Sequence, residues 1–254
     1  LYNFHTLFLG QQVKHLPSCH STNSIALELI EAGQAQEGLL VLSDYQSAGR
    51  GQGQNIWEAA PFQNITLSLV LTPRFLAAQE QFYLSMAVAL SLHDSLRAYV
   101  PDPDGLKVKW PNDIFYEDKK ICGILIQNLL KNQHLHYAIV GVGINVNQTQ
   151  FQSVQASSLK LINGQQNNLT ELTEAFLKAM EVRYLQLRHC KYDRLRFDYL
   201  QQLYAYQEAR RFEVQGRVFE GKILGVDSVG KICIETEGQL HYFQNKEVAL
   251  LPKS

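Results

Sequence analysis

Gly49-Arg50-Gly51-Gln52-Gly53 sets one fixed cation among residues without side-chain bulk. Such a loop lets backbone amides and a guanidinium come close to an anion. It lacks the Gly-Lys-Ser/Thr of a Walker loop and opens no helix as a dinucleotide fingerprint does, so a flexible surface loop is the competing reading. Trp57, at the end of the loop, either covers a ligand ring or anchors the loop to the core. Lys107-Val108-Lys109-Trp110-Pro111-Asn112-Asp113 breaks a strand at a rigid corner that presents an amide and a carboxylate. The alternative is a tight turn whose Asp113 satisfies its own backbone. Lys120 follows on a hairpin leading to Ile121-Cys122-Gly123-Ile124-Leu125, where a lysine is equally well a solvated charge. Gly141-Val142-Gly143-Ile144-Asn145 ends a buried strand with two small residues, which suits close backbone approach to another strand or to a ligand.

The elements that must position these residues are readable from periodicity. Ser21-Thr22-Asn23 offers side-chain oxygens to cap a helix, and Ile25, Leu29 and Ala32 recur at helical spacing before Gly33. Leu39 to Leu42 reads as a buried strand. Ile65, Leu67, Leu69 and Leu71 alternate with Thr66 and Ser68 until Pro73 stops the pairing. Between these strands, Ser43 to Asn64 is a loop of roughly twenty residues, a length that tends to be functional. Gln79 to Tyr99 is apolar on nearly all sides, as in a helix buried on a sheet. Strands follow at Val108 to Trp110, Ile114 to Tyr116, Ile121 to Leu129 and Leu135 to Val142, with Glu117-Asp118-Lys119 and Lys131-Asn132-Gln133 as hairpin turns. Phe176, Met180, Tyr184 and Leu187 mark a second helix, and a third is expected over Arg194 to Tyr206. From Phe212 to Leu251, short alternating stretches separated by Gly216, Gly221, Gly230 and Gly238 have the rhythm of a small all-β barrel. The pattern predicts an α+β fold with a mixed sheet, and two domains, 1–206 and 207–254.

Composition narrows the function classes. The 254 residues allow one to two domains. With 23 Lys and Arg against 24 Asp and Glu, the formal charge is -1, which removes the global basic field of a nucleic-acid binder. Within residues 207–254 the signs balance at seven each, so the barrel is no basic module. Cys19, Cys122, Cys190 and Cys233 are isolated, without metal spacing or a disulfide framework, and suit a reducing compartment. No apolar run approaches a membrane span and no secretory signal opens the chain. A cytoplasmic protein is expected, with the question of residues ahead of Leu1 left open.

Ser21-Thr22-Asn23, Tyr45 to Gly51, Trp57, Lys109-Trp110-Pro111-Asn112-Asp113, Lys120 to Leu125 and Gly141 to Asn145 together closely resemble the ordered motifs of biotin protein ligases. The resemblance implies an ATP-dependent ligase that joins biotin to ATP as biotinyl-5'-adenylate, then passes the biotinyl group to a lysine of a biotin carboxyl carrier protein. It implies a mixed sheet with helices related to class II aminoacyl-tRNA synthetases and lipoate ligases, followed by an SH3-like barrel. Carried onto this sequence, Ser21, Thr22, Asn23, Gln46, Gly49, Arg50, Gly51, Lys120, Gly123 and Gly143 would bind biotin. Arg50, Trp57, Asn112, Lys120 and Asn145 would hold ATP and the adenylate. Arg50 and Lys120 would neutralise carboxylate and α-phosphate, and Asp113 would receive or orient the acceptor amine. Biotin and ATP are the implied substrates, Mg²⁺ would bridge phosphates, and no protein metal cage is implied.

The loop departs from the family pattern. Many members continue Gly-Arg-Gly-Arg-Arg-Gly or Gly-Arg-Gly-Gln-Gln-Gly before their Trp, whereas this chain reads Gly49-Arg50-Gly51-Gln52-Gly53-Gln54. Gln52 replaces a frequent cation and the last glycine has moved, so weaker retention of the adenylate is expected. The rivals are a lipoate or octanoyl ligase on the same sheet and a non-enzymatic biotin sensor. A DNA-binding winged helix ahead of Ser21 is not expected in twenty residues. Edge strands of the sheet are candidates for pairing with a carrier or with a second copy as a homodimer.

Overall fold

The computed structural model describes residues 2–53 and 55–252. Gln54 of the glycine loop, and Lys253 and Ser254 at the end of the expected barrel, lie outside the described residues.

Seven strands form the main sheet: β1 (Val13–Leu16), β2 (Leu40–Ser43), β3 (Ile65–Leu71), β4 (Leu106–Lys109), β5 (Asp113–Tyr116), β6 (Lys119–Lys131) and β7 (His134–Ile144). Their spatial order is β1-β2-β3-β7-β6-β5-β4. The sheet is mixed because β1 runs parallel to β2 while every other neighbour is antiparallel. β1 was not legible in sequence, since Val13-Lys14-His15-Leu16 is too short to carry a period.

Register assigns each face its job. One row of paired residues runs Ile65, Ile144, Cys122, Ile114, Val108, and a second runs Leu42, Leu67, Val142, Ile124; all belong to the main core. Helices α2 (Phe82–Leu96), α4 (Leu169–Arg188) and α5 (Tyr192–Gln202) supply the other half of that core. Helix α2 is buried almost all round, as its apolar sequence requires. The third helix thus begins two residues before the expected Arg194 and stops short of Tyr206, where Leu203 turns extended. A five-residue helix α3 (Leu159–Asn163) is additional, with Gly164 at φ 71° as its left-handed stop.

The opposite face is covered at one end by α1 (Thr22–Glu31), whose Ala26 packs on Leu39, Val41, Val70 and Ile139. Here the expected cap is corrected. Ser21, Thr22 and Asn23 make no side-chain bond to the helix's own amides; Gln46 Oε1 instead accepts from the Thr22 amide at 2.7 Å. The three polar side chains are thereby left for other partners.

After α5 come β8 (Ala209–Val214), β9 (Arg217–Val226), β10 (Ile232–Thr236), β11 (Gln239–Phe243) and β12 (Ala249–Leu250), an antiparallel sheet in the order β11-β10-β9-β8-β12. The Trp110 indole Nε1 donates to the Gly230 carbonyl at 2.9 Å and ties this small sheet to the corner before β5. No helix among the described residues is long and apolar enough to cross a membrane.

Candidate functional site

On the face shared with α1, the register aligns Ser43, Thr66, Gly143, Gly123, Asp113 and Lys109 in one row across the sheet. The next row holds Val41, Ser68, Gly141 and Leu125. Three glycines therefore strip side chains from the sheet centre and leave a floor of bare backbone. The cleft above it is lined by Ser21, Thr22, Asn23, Gln46, Arg50 and Lys120, among others.

Lys120 reaches this floor because of a bulge. Ile114 pairs with Cys122 but Phe115 pairs with Lys120, so Ile121 is the extra residue. Without it, Lys120 would share the face of Cys122, which is the core. With it, Lys120 Nζ lies 2.7 Å from Asp113 Oδ1. Burial pushes the Asp113 carboxyl above its ordinary value, although the Lys120 and Lys109 charges pull it down. Burial also lowers the Lys109 ammonium, which sits 4.4 Å over the Phe115 ring.

The wall toward α1 is a hydrogen-bonded set. Gln46 Oε1 accepts from the Thr22 amide at 2.7 Å, with the Thr22 hydroxyl 3.1 Å away. The Asn23 amide lies on Gly141, where any Cβ would collide with it, and its Nδ2 donates to the Leu125 carbonyl at 3.3 Å. Ser68, wholly buried, completes the set. Sequence reasoning missed it, because a serine alternating with leucines looks solvent-facing; the signal is that α1 covers the face it occupies.

The glycine loop folds back on itself: Arg50 bridges Ile56, and the Trp57 amide donates to the Gly49 carbonyl at 3.0 Å. Exposed Arg50 and half-buried Gln52 face the cleft. Trp57 lays its indole over Gly143 and Gly123, with Lys120 Nζ 5.7 Å from its ring centre. Its buried Nε1 has no partner among the described residues. The packing matches the anchoring reading of Trp57, and the same ring roofs the cleft.

Asn112 Nδ2 donates to the Ile124 carbonyl at 2.6 Å, which locks the corner to β6 and leaves its oxygen at the cleft. A second cleft opens beside the first, sharing Gln52, Asn112, Ile124 and Leu125 and bounded on its far side by Lys231, Gln244 and Asn245. Three expected residues stand apart from the lining, and Asp113 is one, meeting the cleft only through its bond to Lys120. Gly49 lies behind it, where a Cβ would meet the Trp57 carbonyl at 2.6 Å. Asn145 is buried and bonds the Ser157 carbonyl at 3.0 Å, holding the segment that leads to α3. Among the described residues, no group of three or more His, Cys, Asp or Glu is placed to hold a metal ion.

A model of the biotin/lipoate A/B protein ligase family matches residues 16–145, the span from β1 through the end of β7. The chain belongs to that family. Over 98% of its length it is 26% identical to the bifunctional ligase/repressor BirA of Bacillus subtilis, covering 77% of that protein. It is likewise 26% identical to the biotin--[acetyl-CoA-carboxylase] ligase of Mycobacterium tuberculosis, across 86% of this chain and 81% of the other. The fold is that of the biotin protein ligase from Aquifex aeolicus solved with biotin and ATP, at a TM-score of 0.78, 23% identity, 96% of this chain and 100% of that one. As a ligase of this family, the chain has the expected α+β fold with its second, C-terminal antiparallel sheet.

Proposed function

We propose that this ligase activates biotin with ATP as biotinyl-5'-adenylate and transfers the biotinyl group to a lysine of a biotin carboxyl carrier protein. The observation that carries the reading is the Lys120–Asp113 pair, set by the Ile121 bulge on a glycine floor beside the Thr22, Asn23 and Gln46 wall. A cyclic urea buried there finds donors and acceptors at every polar atom, which an unpaired polar group in an apolar pocket would lack. A lipoyl ring has no use for such a wall.

In the first step the biotin carboxylate oxygen attacks the α-phosphorus of ATP, and the bond to pyrophosphate breaks. Arg50 and Lys120 offset the repulsion of the two anions as they approach. ATP spans the first cleft and the second, under Trp57 and against Asn112. Mg²⁺ bound to the nucleotide would offset the charge of its phosphates, with no cage of protein ligands to hold it among the described residues. As phosphate draws the Lys120 ammonium away, Asp113 is freed. In the second step the acceptor amine, mostly protonated at neutral pH, gives one proton toward Asp113 and attacks the acyl carbon; the acyl–phosphate bond breaks, AMP leaves, and the nitrogen's second proton passes to solvent as the amide forms.

The division at residues 206 and 207 is part of the proposal, with the second antiparallel sheet as a separate barrel. For pairing with a carrier or a second copy, β1 is the open edge, since the Tyr204 amide already donates to the Val108 carbonyl at 2.8 Å on β4. Biotin-dependent pyrophosphate release, followed by transfer of labelled biotin to a carrier domain, tests the reading. Turnover driven by lipoate and not by biotin overturns it.

A further inference from the structure

Ser68 sits at the centre of β3, paired with Val41 and Gly141, and is 0% exposed. Its strand neighbours Leu67, Leu69 and Val70 are apolar, so a hydroxyl here needs partners to offset its desolvation. Several other buried hydroxyls use main-chain carbonyls. Ser91 bonds the Ala87 carbonyl at 2.6 Å, and Thr66 bonds that of Ser43 at 2.6 Å. Ser68 does otherwise. Its Oγ lies 2.5 Å from Asn23 Oδ1 and 2.8 Å from Thr22 Oγ1, both side chains of the cleft wall.

We infer that Ser68 is the positioning residue that sets ligand specificity, by fixing which atoms of Thr22, Asn23 and Gln46 donate and which accept. The inference rests on the biotin reading above. A hydroxyl has one proton to give. Given to Asn23 Oδ1, it turns that amide so that Nδ2 faces the Leu125 carbonyl and cannot flip. The Thr22 hydroxyl, 2.8 Å away, then gives its own proton to Ser68 Oγ, and Gln46 Oε1 keeps the Thr22 amide as its donor. With its oxygen turned to that amide, Gln46 has Nε2 to offer, a donor for a carbonyl oxygen. Thr22 Oγ1 keeps lone pairs for an N–H. The wall therefore reads a ligand carrying a carbonyl acceptor beside N–H donors, which is a cyclic urea. Removing the Ser68 hydroxyl leaves the Asn23 amide held by the Leu125 carbonyl alone and frees the Thr22 rotor, so the wall loses its fixed polarity. The sheet and the Lys120–Asp113 pair stay as they are.

The test measures pyrophosphate release with biotin and with octanoate, a carboxylate without a ureido ring, in Ser68→Ala and in the near-isosteric Ser68→Cys. The expected result is a rise of about tenfold in KM for biotin, kcat and KM for ATP within about twofold of the parent, and unchanged weak activity with octanoate. The preference for biotin over octanoate then falls by the same tenfold. Should Ser68→Ala fail to fold, Ser68→Cys, which preserves volume but donates poorly, is expected to show the same split. An unchanged KM for biotin in whichever variant folds, or an equal loss with biotin and octanoate, overturns the inference. A parent enzyme that ignores biotin is a different failure, that of the biotin reading itself.

Discussion

At the scale of single residues, the site is a charge pair waiting for anions. Lys120→Ala removes the ammonium that the proposed mechanism sets against carboxylate and phosphate, so adenylate formation is expected to fall about 10²- to 10³-fold in kcat. Lys120 is a partly exposed side chain and its loss leaves the core untouched; a thermal midpoint that drops along with the rate would assign it a structural role instead. Asp113 carries a pH signature. Because burial raises its carboxyl despite the Lys120 and Lys109 charges, the folded protein holds that proton to higher pH than the unfolded chain does. Its stabilising contribution is therefore complete below the ordinary carboxylate value of about 3.9 and is lost as pH rises through the raised value. The transfer step moves in the opposite sense and gains its proton acceptor over the same range. Asp113→Asn is expected to slow transfer to the carrier by about 10²-fold and to erase that acid limb, with adenylate formation less affected. Persistence of the limb in single-turnover transfer by the variant would remove Asp113 from the step.

At the scale of elements, the glycines matter as much as the charges. Gly143 lies in the middle of the seven-stranded sheet, bonded on both sides to β3 and β6, so its backbone has no room to retreat. A Cβ there would land on the Trp57 indole. Gly143→Ala is thus expected to lift Trp57 off the floor and weaken biotin binding at least tenfold by calorimetry, while the core face, led by Val142 and Ile144, keeps the fold intact. Unchanged affinity would show that the ring is not the roof of the site. Much of this arrangement was legible in the chain: the alternation of β3, the glycine-rich loop before Trp57, and the small residues ending β7. Two features were not. The bulge at Ile121 is invisible because an extra residue in a strand shows only against its partner, and it decides which way Lys120 points. The cap of α1 looked local, in Ser21-Thr22-Asn23, yet comes from Gln46, 24 residues from Thr22 in the chain.

At the scale of the whole molecule, the small sheet closes one side of the second cleft, proposed above for the nucleotide, and the Trp110 indole is one of its ties to the main sheet there. Trp110 precedes the Asn112–Asp113 corner and donates to the Gly230 carbonyl, in a turn that Asp227 Oδ1 braces by accepting the Val229 and Lys231 amides at 3.1 and 2.8 Å. Gly230 has φ 93° and presses on the Phe82 ring, where a Cβ would stand 2.6 Å from Cδ2, so any side chain at 230 would push the turn away from α2. Trp110→Phe keeps an apolar ring but leaves that carbonyl without its donor, at a cost of about 1 kcal/mol in stability. The greater effect is expected on geometry. With the tie cut, Lys231, Gln244 and Asn245 no longer sit at a fixed distance from Asn112 across the second cleft, so KM for ATP should rise several-fold while KM for biotin, set by the α1 wall, stays within about twofold. Faster hydrogen exchange at residues 227–231 should accompany it. If exchange quickens and KM for ATP does not move, the small sheet is a passive neighbour of the nucleotide, and the second cleft must then serve the incoming carrier instead.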